Sequence, residues 1–566
     1  MNYHGEDLDL LDFKANLIID TGQGNIKTVL KDLKENYNLK AVNLKEAKNN
    51  IISNYEKLLL DTANLKYFNE YGGFSEDGFE YRFKINEENK LPTVWCNILA
   101  NKEFGTITTQ NLGGFTWFGN SRLNRLSSWS NNLIEDPPSE LIYFKDIKTG
   151  EEWSLSQNVN QEMQDYIITY GFGFTKLKTV KNGITQEVEI FVPKDENVKI
   201  NIIKLTNNTG ENKKVKLLYY IKPVLDEDEI KSNSYIDVKK DGNIILAKNL
   251  YKNGFLENIA FVSSSEEITA FTGKKRLVVD EGKIYFDNLD NKTGLGEEAC
   301  IAIELEIELK TFETKDIALM FGAGNSLIDI KSLCNKYSKI EKCKEELNKC
   351  KDYWYQFLTT IQVNTPLESM NLLLNGWTIY QTIVSRLWSR TGFYQSGGAI
   401  GFRDQLQDTL GIKYIDKNIM KNQILLHAKH QFIEGDVLHW WHEETNRGIR
   451  TRFSDDLLWL CFVVYEYIEF TGDYEILDDE ISYLSGVPLE EGIDEKYDEY
   501  VDSDLKEPLY NHCIRAIEKS LDFGENGLPK IGSGDWNDGL NTVGNKKRGE
   551  SVWLRIFYIR YFNKVY

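Results

Sequence analysis

The feature that most constrains the fold is a change in hydrophobic periodicity near residue 325. From Tyr67 to Gly324, short runs of alternating apolar and polar residues are separated by turn residues, whereas the later chain follows a helical period. A long series of strands without helical crossovers is typical of antiparallel sheets. The sequence therefore predicts a multidomain protein that is β first and then α, beginning with a large antiparallel β-sandwich.

Two local patterns in the first region predict hairpins. Asn182-Gly183 is a favoured two-residue turn, and apolar runs at 177–180 and 188–192 lie on either side of it. A second alternation covers 198–202 and resumes over 215–221 after a polar turn. Each pattern predicts a half-buried antiparallel pair.

The periodicity divides the chain into four segments. We expect a helical leader over 1–66, the sandwich over 67–325, a helical linker over 326–360 and an all-helical region over 361–566. Successive amphipathic helices in the last segment suggest an α/α barrel with its long loops at one rim. Polar clusters in those loops are candidates for function, because the helices supply the scaffold.

Two helix starts in the last segment are predicted from capping residues. Ser454 is expected to cap a helix that ends at Gly472. Thr365 is expected to cap an earlier helix with Pro366 at its first position.

Composition excludes several classes of partner. The net charge of −20 argues against nucleic acids and anionic membranes, which require a basic surface. The seven cysteines are scattered and form no CxxC pair, which favours reduced thiols over disulfides or a zinc site. The N-terminal sequence lacks the features of a signal peptide, and no apolar run is long enough to span a bilayer. We therefore expect a cytoplasmic protein without a metal.

The segment 530–541 has the most unusual composition in the chain. Asp535, Trp536, Asn537 and Asp538 place two carboxylates, an amide and an indole between glycines, without helical or strand periodicity. Aromatic faces stack on sugar rings, and a carboxylic acid can protonate a glycosidic oxygen. A polar turn between helices is the alternative interpretation.

Two further segments combine glycine, aromatic and charged residues. In 395–408, a glycine-rich approach precedes Arg403 and Asp404, which could bind an anion and sugar hydroxyls; a simple ion pair at a helix start is the alternative. The segment 114–132 mixes Trp, Asn and Arg, and serves either a domain contact or a substrate-facing surface.

The segment 439–452 carries histidines and arginines. His439, His442 and Glu443 could be metal ligands, but their spacing is not HExxH. The nearby arginines, including Arg450, would repel a cation, so the segment fits an anion such as phosphate better.

Together these segments resemble glycoside hydrolase family 94, the inverting glycoside phosphorylases formerly classed as glycosyltransferase family 36. The resemblance covers about 67–554 and rests on these motifs: Thr116-Trp117-Phe118-Gly119-Asn120-Ser121-Arg122, Gly401-Phe402-Arg403-Asp404-Gln405-Leu406-Gln407-Asp408, His439-Trp440-Trp441-His442, Arg450-Thr451-Arg452-Phe453-Ser454-Asp455-Asp456-Leu457-Leu458-Trp459 and Gly534-Asp535-Trp536-Asn537-Asp538-Gly539. It implies an N-terminal β-sandwich, a helical linker, an (α/α)6 barrel and a small C-terminal β domain.

Within the family, the segments 116–132 and 439–444 look closest to 1,2-β-oligoglucan phosphorylases and to the phosphorylase-like part of cyclic β-1,2-glucan synthases. Cellobiose phosphorylases usually carry an Arg shortly before the second motif, where this chain has Gly398. Cellobiose is therefore a weaker expectation as substrate.

The resemblance implies a role for each residue that matches the family motifs. Asp538 corresponds to the general acid, and Trp536 and Asp404 correspond to residues lining the subsite of the cleaved sugar, with Arg403 beside it. Asp535 is expected to act as an ion-paired or hydrogen-bonded support. The implied substrate-binding set is Arg403, Asp404, Arg450, Asp535, Trp536 and Asn537.

The implied reaction is phosphorolysis of β-linked gluco-oligosaccharides, with β-1,2 linkages favoured. Asp538 would protonate the glycosidic oxygen while inorganic phosphate attacks the anomeric carbon from the opposite face, giving α-glucose 1-phosphate. Phosphate is a co-substrate, no cofactor is expected, and family members are often dimers, so a homodimer is expected as well.

The family pattern continues beyond residue 554, whereas residues 555–566 depart from it. We therefore expect an incomplete (α/α)6 barrel, and an alternative function follows: an inactive or split-enzyme fragment that retains only carbohydrate binding. A third possibility, an inverting hydrolase, needs a catalytic base, for which Glu443 and Glu444 are the candidates.

Overall fold

The computed structural model of the chain describes residues 58–86, 88–156, 164–251, 255, 257–280, 283–285 and 289–565. The predicted helical leader over 1–66 lies mostly outside these residues. Its last part, 58–66, contains a turn and a β-bridge between Lys66 and Phe74 rather than a helix.

Strands fill the first half of the described chain, as the alternating pattern predicts. They are β1 Gly72–Phe74, β2 Glu80–Ile85, β3 Cys96–Ala100, β4 Phe104–Thr109, β5 Thr116–Phe118, β6 Arg125–Ser127, β7 Glu140–Asp146, β8 Glu152–Ser154, β9 Tyr166–Gly171, β10 Phe174–Lys181, β11 Ile184–Phe191, β12 Val198–Asn207, β13 Lys213–Ile221, β14 Pro223–Asp226, β15 Ile236–Asp241, β16 Ile244–Asn249, β17 Ile259–Ser264, β18 Ala270–Lys274, β19 Val279–Asp280, β20 Lys283–Ile284, β21 Ala299–Leu309 and β22 Thr314–Gly324. A short helix, α1 Glu229–Ser232, lies among them.

Most of these strands belong to three sheets. The largest has ten strands in the order β1-β2-β9-β10-β11-β12-β22-β17-β16-β15. Two five-stranded sheets have the orders β18-β21-β13-β7-β8 and β14-β6-β5-β4-β3, and β19 pairs with β20. The pairings within the three sheets are antiparallel, so the expected large antiparallel sandwich is confirmed.

Both faces of the ten-stranded sheet are buried, and β12 shows how. Ile203 and Leu205 share a core with the second sheet, whereas Ile200 and Ile202 share another core with the helices that follow the sandwich. Successive side chains of a strand point to opposite faces, so one strand contributes to both cores.

The first predicted hairpin is confirmed and the second is wrong. β10 and β11 pair around Asn182 and Gly183, whose φ angles of 53° and 68° are those of the favoured turn. The strands β12 and β13 do not pair; β12 lies between β11 and β22, and β13 lies between β7 and β21. Val215 of β13 faces the same core as Ile203, so the two strands stack across the sandwich instead of lying side by side.

Helices dominate the second half of the described chain. They are α2 Leu327–Tyr337, α3 Ile340–Leu358, α4 Glu368–Leu372, α5 Thr378–Gln381, α6 Phe402–Ile412, α7 Lys417–Lys429, α8 Asp456–Thr471, α9 Leu509–Ser520 and α10 Val552–Val565. Two π-helical stretches, Leu373–Trp377 and Thr382–Trp388, flank α5. Six strands complete this half: β23 Ile400–Gly401, β24 Leu438–His442, β25 Arg447–Thr451, β26 Glu480–Ser485, β27 Glu495–Glu499 and β28 Val501–Pro508.

The predicted linker consists of α2 and α3, which cover the outer face of the ten-stranded sheet. Gly173, at the β9–β10 turn, shows how close this contact is, because a Cβ there would lie 2.4 Å from the ring of Trp354. The Tyr380 hydroxyl donates to the Ile98 carbonyl at 2.7 Å and accepts from the Gly173 amide at 3.1 Å. The sandwich and the helices therefore share an extensive buried contact.

The helices α6 to α10 form a separate core. Leu406, Ile424, Leu460, Ala516 and Leu554, one from each helix, are buried in it. The described residues provide fewer helices than the six pairs of an (α/α)6 barrel. Within the described residues, no helix is both long and apolar enough to cross a membrane.

Both predicted helix starts are shifted. α8 has Asp455 at its N-cap position, and the Ser454 hydroxyl donates instead to the Gly534 carbonyl at 3.2 Å. The predicted end is confirmed, because Gly472 adopts φ 69° as the C-cap. The helix α4 starts at Glu368 rather than beside Pro366, because the Thr365 hydroxyl is hydrogen-bonded to Asn371 and Leu367 in a turn.

Candidate active site

The segment 532–538 is anchored beside the start of α8 by backbone hydrogen bonds. The Ser533 amide donates to the Arg452 carbonyl at 3.1 Å, and the Ser454 amide donates to the Gly534 carbonyl at 3.0 Å. Glycine is required at 532, which has φ 64°, because a Cβ there would lie 1.9 Å from the Arg452 carbonyl. The segment therefore is not a free polar turn; it is fixed against the chain that enters α8.

Asp538 lies at the exposed end of this segment. It begins a short 3-10 helix, Asp538–Leu540, where the Asn537 side chain accepts from the Gly539 amide at 3.0 Å. The Asp538 side chain is 51% exposed, and its Oδ1 lies 3.5 Å from Nη1 of Arg403. The carboxyl group is thus open to a ligand on one side and faces a cation on the other.

Arg403 connects α6 to the same segment. Its Nη1 donates to the Trp536 carbonyl at 2.7 Å, and its guanidinium lies 5.9 Å from the centre of the Trp536 ring. The Trp536 indole is itself about half exposed. Arg403, Trp536 and Asp538 therefore form one contiguous group.

Asp535 lies beneath this group and is buried. Its Oδ2 accepts from the Ser551 hydroxyl at 2.6 Å, and its Oδ1 accepts from the Asn537 amide at 3.0 Å. These bonds hold the turn that presents Asp538, which is the geometry of a hydrogen-bonded support.

Asp404 does not pair with its neighbour Arg403. Instead Arg386 places Nη2 3.4 Å from Asp404 Oδ1, and its Nε contacts both oxygens of Asp408 at 2.7 Å. The alternative interpretation of an Arg403–Asp404 ion pair is therefore wrong. Arg403 and Asp404 project from the same helical turn toward different partners.

His439 contacts the first residue of α8. Its Nδ1 lies 2.7 Å from Asp456 Oδ2, and its ring stacks on Phe453 with centres 4.4 Å apart. Burial alone would lower the pKa of His439, but the bond to Asp456 and the negative charges of Asp456 and Asp538 outweigh it and raise that pKa. A raised pKa favours the cationic imidazolium form of His439.

Asp455 is the least satisfied carboxyl of the group. It is fully buried; Oδ2 accepts from the Trp459 indole at 3.1 Å, and Oδ1 has no hydrogen-bond partner among the described residues. Burial and the neighbouring Asp456 raise its pKa to about 8. The raised pKa favours the protonated form of Asp455.

Arg450 lies apart from this group. It is almost fully buried, forms two hydrogen bonds with Asp436 at 2.6 and 2.7 Å, and donates to Glu434 at 2.9 Å. Its guanidinium also packs 3.7 Å from the centre of the Phe432 ring. The structure thus places this member of the expected substrate-binding set in an internal ion-pair network.

The other residues weighed as metal ligands have separate partners. Glu443 pairs with His430 and accepts from the Trp441 indole, and these bonds overcome its burial and hold the pKa of Glu443 at about 2. His442 has its Nε2 3.2 Å from the Gly397 carbonyl. In the described residues, no group of three or more His, Cys, Asp or Glu side chains is arranged to hold a metal.

The segment 114–132 makes a domain contact. The Asn120 side chain donates to the Gly398 carbonyl at 2.9 Å and to Glu444 at 2.7 Å, and the Ser121 hydroxyl donates to the Ser389 carbonyl at 2.7 Å. A Cβ at Gly398 would lie 2.1 Å from Asn120 Oδ1. The glycine found where cellobiose phosphorylases usually carry Arg is therefore required by this contact.

Sequence reasoning alone assigns no site role to Asp456 or Arg386. An acidic residue in the first turn of a helix has an ordinary role there, so Asp456 gives no distinct signal. The pairing of Asp456 with His439 depends on a strand and a helix start that are brought together by the fold. Of this pair, the sequence draws attention only to His439, which precedes Trp440-Trp441.

The architecture has three parts: a β-sandwich, a helical linker and a helical region. The helical region carries a polar site with a tryptophan–carboxylate loop. Two family models match the chain in succession: "Glycosyl hydrolase 94, supersandwich domain" over residues 79–340, and "Glycosyl hydrolase 94 superfamily, catalytic domain" over residues 353–565. The chain belongs to the glycosyl hydrolase 94 family.

Similar proteins include several with named activities. The chain is 29% identical to the cyclic beta-(1,2)-glucan synthase NdvB of Rhizobium meliloti (strain 1021), over 88% of this chain and 18% of the relative. It is 24% identical to the N,N'-diacetylchitobiose phosphorylase of Vibrio furnissii, over 86% and 63% respectively. It is 25% identical to the solabiose phosphorylase of Paenibacillus borealis, over 86% and 61%. The chain thus spans less than two thirds of the length of each relative.

Proposed function

We propose that this chain carries the site of an inverting glycoside phosphorylase that cleaves β-linked gluco-oligosaccharides with inorganic phosphate. The observation that carries the proposal is the Asp538 loop, in which an accessible carboxyl group lies 3.5 Å from Arg403 Nη1 and close in sequence to the half-exposed Trp536 indole. The names of the relatives, a cyclic β-(1,2)-glucan synthase and two phosphorylases, support the reaction class and favour β-1,2 linkages.

Asp538 is the proton donor in this proposal. Its carboxyl group is accessible at the end of a rigid turn, so it can reach a glycosidic oxygen without rearrangement of the backbone. Protonation of that oxygen makes the departing sugar a better leaving group. The indole of Trp536 and the exposed carboxylate of Asp404 supply a stacking face and a hydroxyl acceptor for the sugar.

Phosphate is the nucleophile in this proposal, and Arg403 and His439 balance its negative charge. Arg403 offers planar donors that suit phosphate oxygens, and His439, held by Asp456, adds a second positive charge. Phosphate attacks the anomeric carbon on the face opposite Asp538, and its oxygen replaces the departing sugar with inversion, giving an α-sugar 1-phosphate. Phosphate needs no deprotonation by the protein, so a second carboxylate is unnecessary.

A hydrolase would require a base that activates water, and the two candidates are engaged elsewhere. Glu443 is bound by His430 and Trp441, whereas Glu444 is bound by Asn120 and Arg390. These partners favour phosphorolysis over hydrolysis.

The test is release of glucose 1-phosphate from β-1,2-linked gluco-oligosaccharides by the 566-residue chain, with and without inorganic phosphate. We expect release only with phosphate, and proton NMR of the first product should show the α anomer. β-1,3- and β-1,4-linked oligosaccharides test the linkage. Release of free glucose without phosphate would contradict the proposal in favour of a hydrolase. No turnover by protein whose circular dichroism shows a folded chain would favour a fragment that retains only carbohydrate binding.

A further inference from the structure

A cavity lies between the sandwich and the helical region. Its volume is about 610 Å³, which is within the range of small-molecule sites. The sandwich contributes Arg122 and Glu227, and the helical region contributes Trp440, Tyr497 and Glu444 to its walls. The residues of the Asp538 group lie elsewhere.

The strand β24 separates this cavity from the Asp538 group. His439 turns toward Asp456, whereas the next residue, Trp440, lines the cavity. Successive residues of a strand point to opposite faces, so one strand serves two distinct surfaces.

Two aromatic side chains form a surface in the cavity. Trp440 and Tyr497 both pair in register with Ile449, one on each side of β25, and therefore share a face of the small sheet. Their ring centres are 5.5 Å apart with an interplanar angle of 37°, and Tyr497 is 49% exposed. Exposed aromatic faces with a polar handle suit the apolar face of a sugar ring.

The charges of the cavity disfavour an anion. Arg122 lies 3.8 Å from Glu227 and Arg447 lies 3.5 Å from Glu499, so each arginine already faces a carboxylate. Asp226 adds further negative charge to the lining, and Glu444 adds a carboxylate that faces Arg390. Carboxylates in excess of cations repel phosphate and accept hydrogen bonds from neutral hydroxyl groups.

His442 provides an unused acceptor in the wall of this cavity. Its Nε2 faces the Gly397 carbonyl at 3.2 Å and therefore carries the proton, since a carbonyl only accepts. The side chain is 2% exposed, and Nδ1 has no hydrogen-bond partner among the described residues. A buried acceptor without a protein partner is costly, and a hydroxyl donor of a ligand would remove that cost.

We propose that this cavity is a second saccharide site, which binds a neutral gluco-oligosaccharide through Trp440 and Tyr497 and takes no part in bond cleavage. The choice of glucose units rests on the proposed function, whereas the neutral, hydroxyl-rich class of ligand rests on the cavity itself. Such a site would hold a longer chain in addition to the portion at Asp538.

Calorimetry without phosphate tests the proposal, using a longer linear β-1,2-gluco-oligosaccharide as the probe. The titration is done in a Trp536→Ala background, so that the binding that remains reports the cavity. We expect Tyr497→Ala to weaken this binding about five- to tenfold. Tyr510→Ala, which truncates an exposed tyrosine of α9, is the matched control and should leave it unchanged.

Three outcomes would overturn the inference: no binding in the Trp536→Ala background, unchanged binding in both Tyr497→Ala and Trp440→Ala, or displacement of the oligosaccharide by inorganic phosphate. Because Tyr497 is half exposed, its truncation keeps the test valid if Trp440→Ala fails to fold. Tyr497-dependent binding by a chain that releases no glucose 1-phosphate would uphold this site and reject the phosphorylase proposal. Phosphorolysis by a chain that shows no such binding would uphold the phosphorylase proposal and reject this site.

Discussion

Charged side chains are arranged in two different ways in the sandwich and at the helical end of the molecule. In the sandwich, Glu140 and Lys199 are buried together and pair with each other. At the helical end, Asp538 is half exposed and faces Arg403, and the Trp536 indole is about half exposed as well. The first arrangement closes a network, and the second leaves groups available to a ligand.

The sandwich network satisfies every carboxylate oxygen it buries. Glu140 Oε1 accepts from the hydroxyls of Thr116 at 2.7 Å and Ser127 at 3.1 Å, and Oε2 accepts from Lys199 and from the Tyr219 hydroxyl at 3.1 Å. A fully partnered network of this kind fixes one arrangement of the sheets. It offers nothing to a substrate, because both carboxylate oxygens are buried and each already accepts two hydrogen bonds.

The comparison teaches that the same residue types stabilise a fold in one place and serve chemistry in another, depending on how completely they are paired. It predicts that substitutions in the sandwich network change stability first. It also predicts that substitutions around Asp538 change activity first.

The largest effect is expected from breaking the closed network. Lys199→Met leaves the Glu140 carboxylate buried without its cation, and we expect a loss of about 3–5 kcal/mol in the free energy of unfolding. Urea unfolding followed by circular dichroism measures it. Lys204→Met, at an exposed position of the same strand β12, is the matched control and should change stability little. Equal small effects for both variants would contradict the account of a closed network.

The next effect concerns Arg403, which contacts the Asp538 loop. Arg403→Lys removes the planar donors that reach the Trp536 carbonyl and face Asp538, so kcat/KM for phosphorolysis should fall about 10- to 100-fold. Stability should be nearly unchanged. Arg276→Lys, an exposed ion pair of the sandwich, serves as the control. An unfolding midpoint that drops as far as in Lys199→Met would place Arg403 with the structural residues.

Asp455 gives a stability effect that depends on pH. Its native pKa is about 8, raised by burial and by Asp456, so between about pH 4 and pH 8 the native state holds a proton that the unfolded state has lost. Stability therefore falls as pH rises through this window, by about 1.4 kcal/mol per pH unit.

Asp455→Asn has no proton to lose and should flatten that part of the stability profile. The free energy of unfolding, measured by urea titration at several pH values, checks this. A profile of the variant as steep as that of the wild type would show that Asp455 is ionised in the native state.

The smallest effect concerns the pH dependence of activity. Asp456 holds the pKa of His439 above its usual value, so the imidazolium persists to higher pH. In Asp456→Asn that pKa falls, and the alkaline limb of the kcat/KM profile should move to lower pH by about one unit or less. A limb that stays in place, or moves upward, would remove His439 from the phosphate-binding role.

The sequence predicts local features of the fold better than distant ones. The β10–β11 hairpin follows from Asn182-Gly183, because the turn and both strands are contiguous. The pairing of β12 with β22 could not be predicted, because the paired residues are more than one hundred positions apart in the chain, as in Val198↔Gly322. Alternation indicates a strand and its buried face but does not identify the partner.

In the candidate site as well, the local features could be predicted from the sequence and the contacts between distant segments could not. Asp538 and Trp536 stand out by composition and by family pattern in one short loop. The bond from Arg403 to the Trp536 carbonyl, the Asp456–His439 pair and the burial of Asp455 arise where α6, β24 and the start of α8 meet. Arg450 shows the converse, since an arginine in a conspicuous motif lies in an internal ion-pair network.

The most direct test of the central claim compares rate and stability in one variant, Asp538→Asn. The account predicts that phosphorolysis falls by about 10²–10⁴-fold. The free energy of unfolding should stay within about 0.5 kcal/mol of the wild type, because Asp538 is half exposed and closes no network. A variant that retains the wild-type rate, or one whose activity falls only as far as its folded fraction does, would contradict the claim that open polar groups at the helical end carry the chemistry.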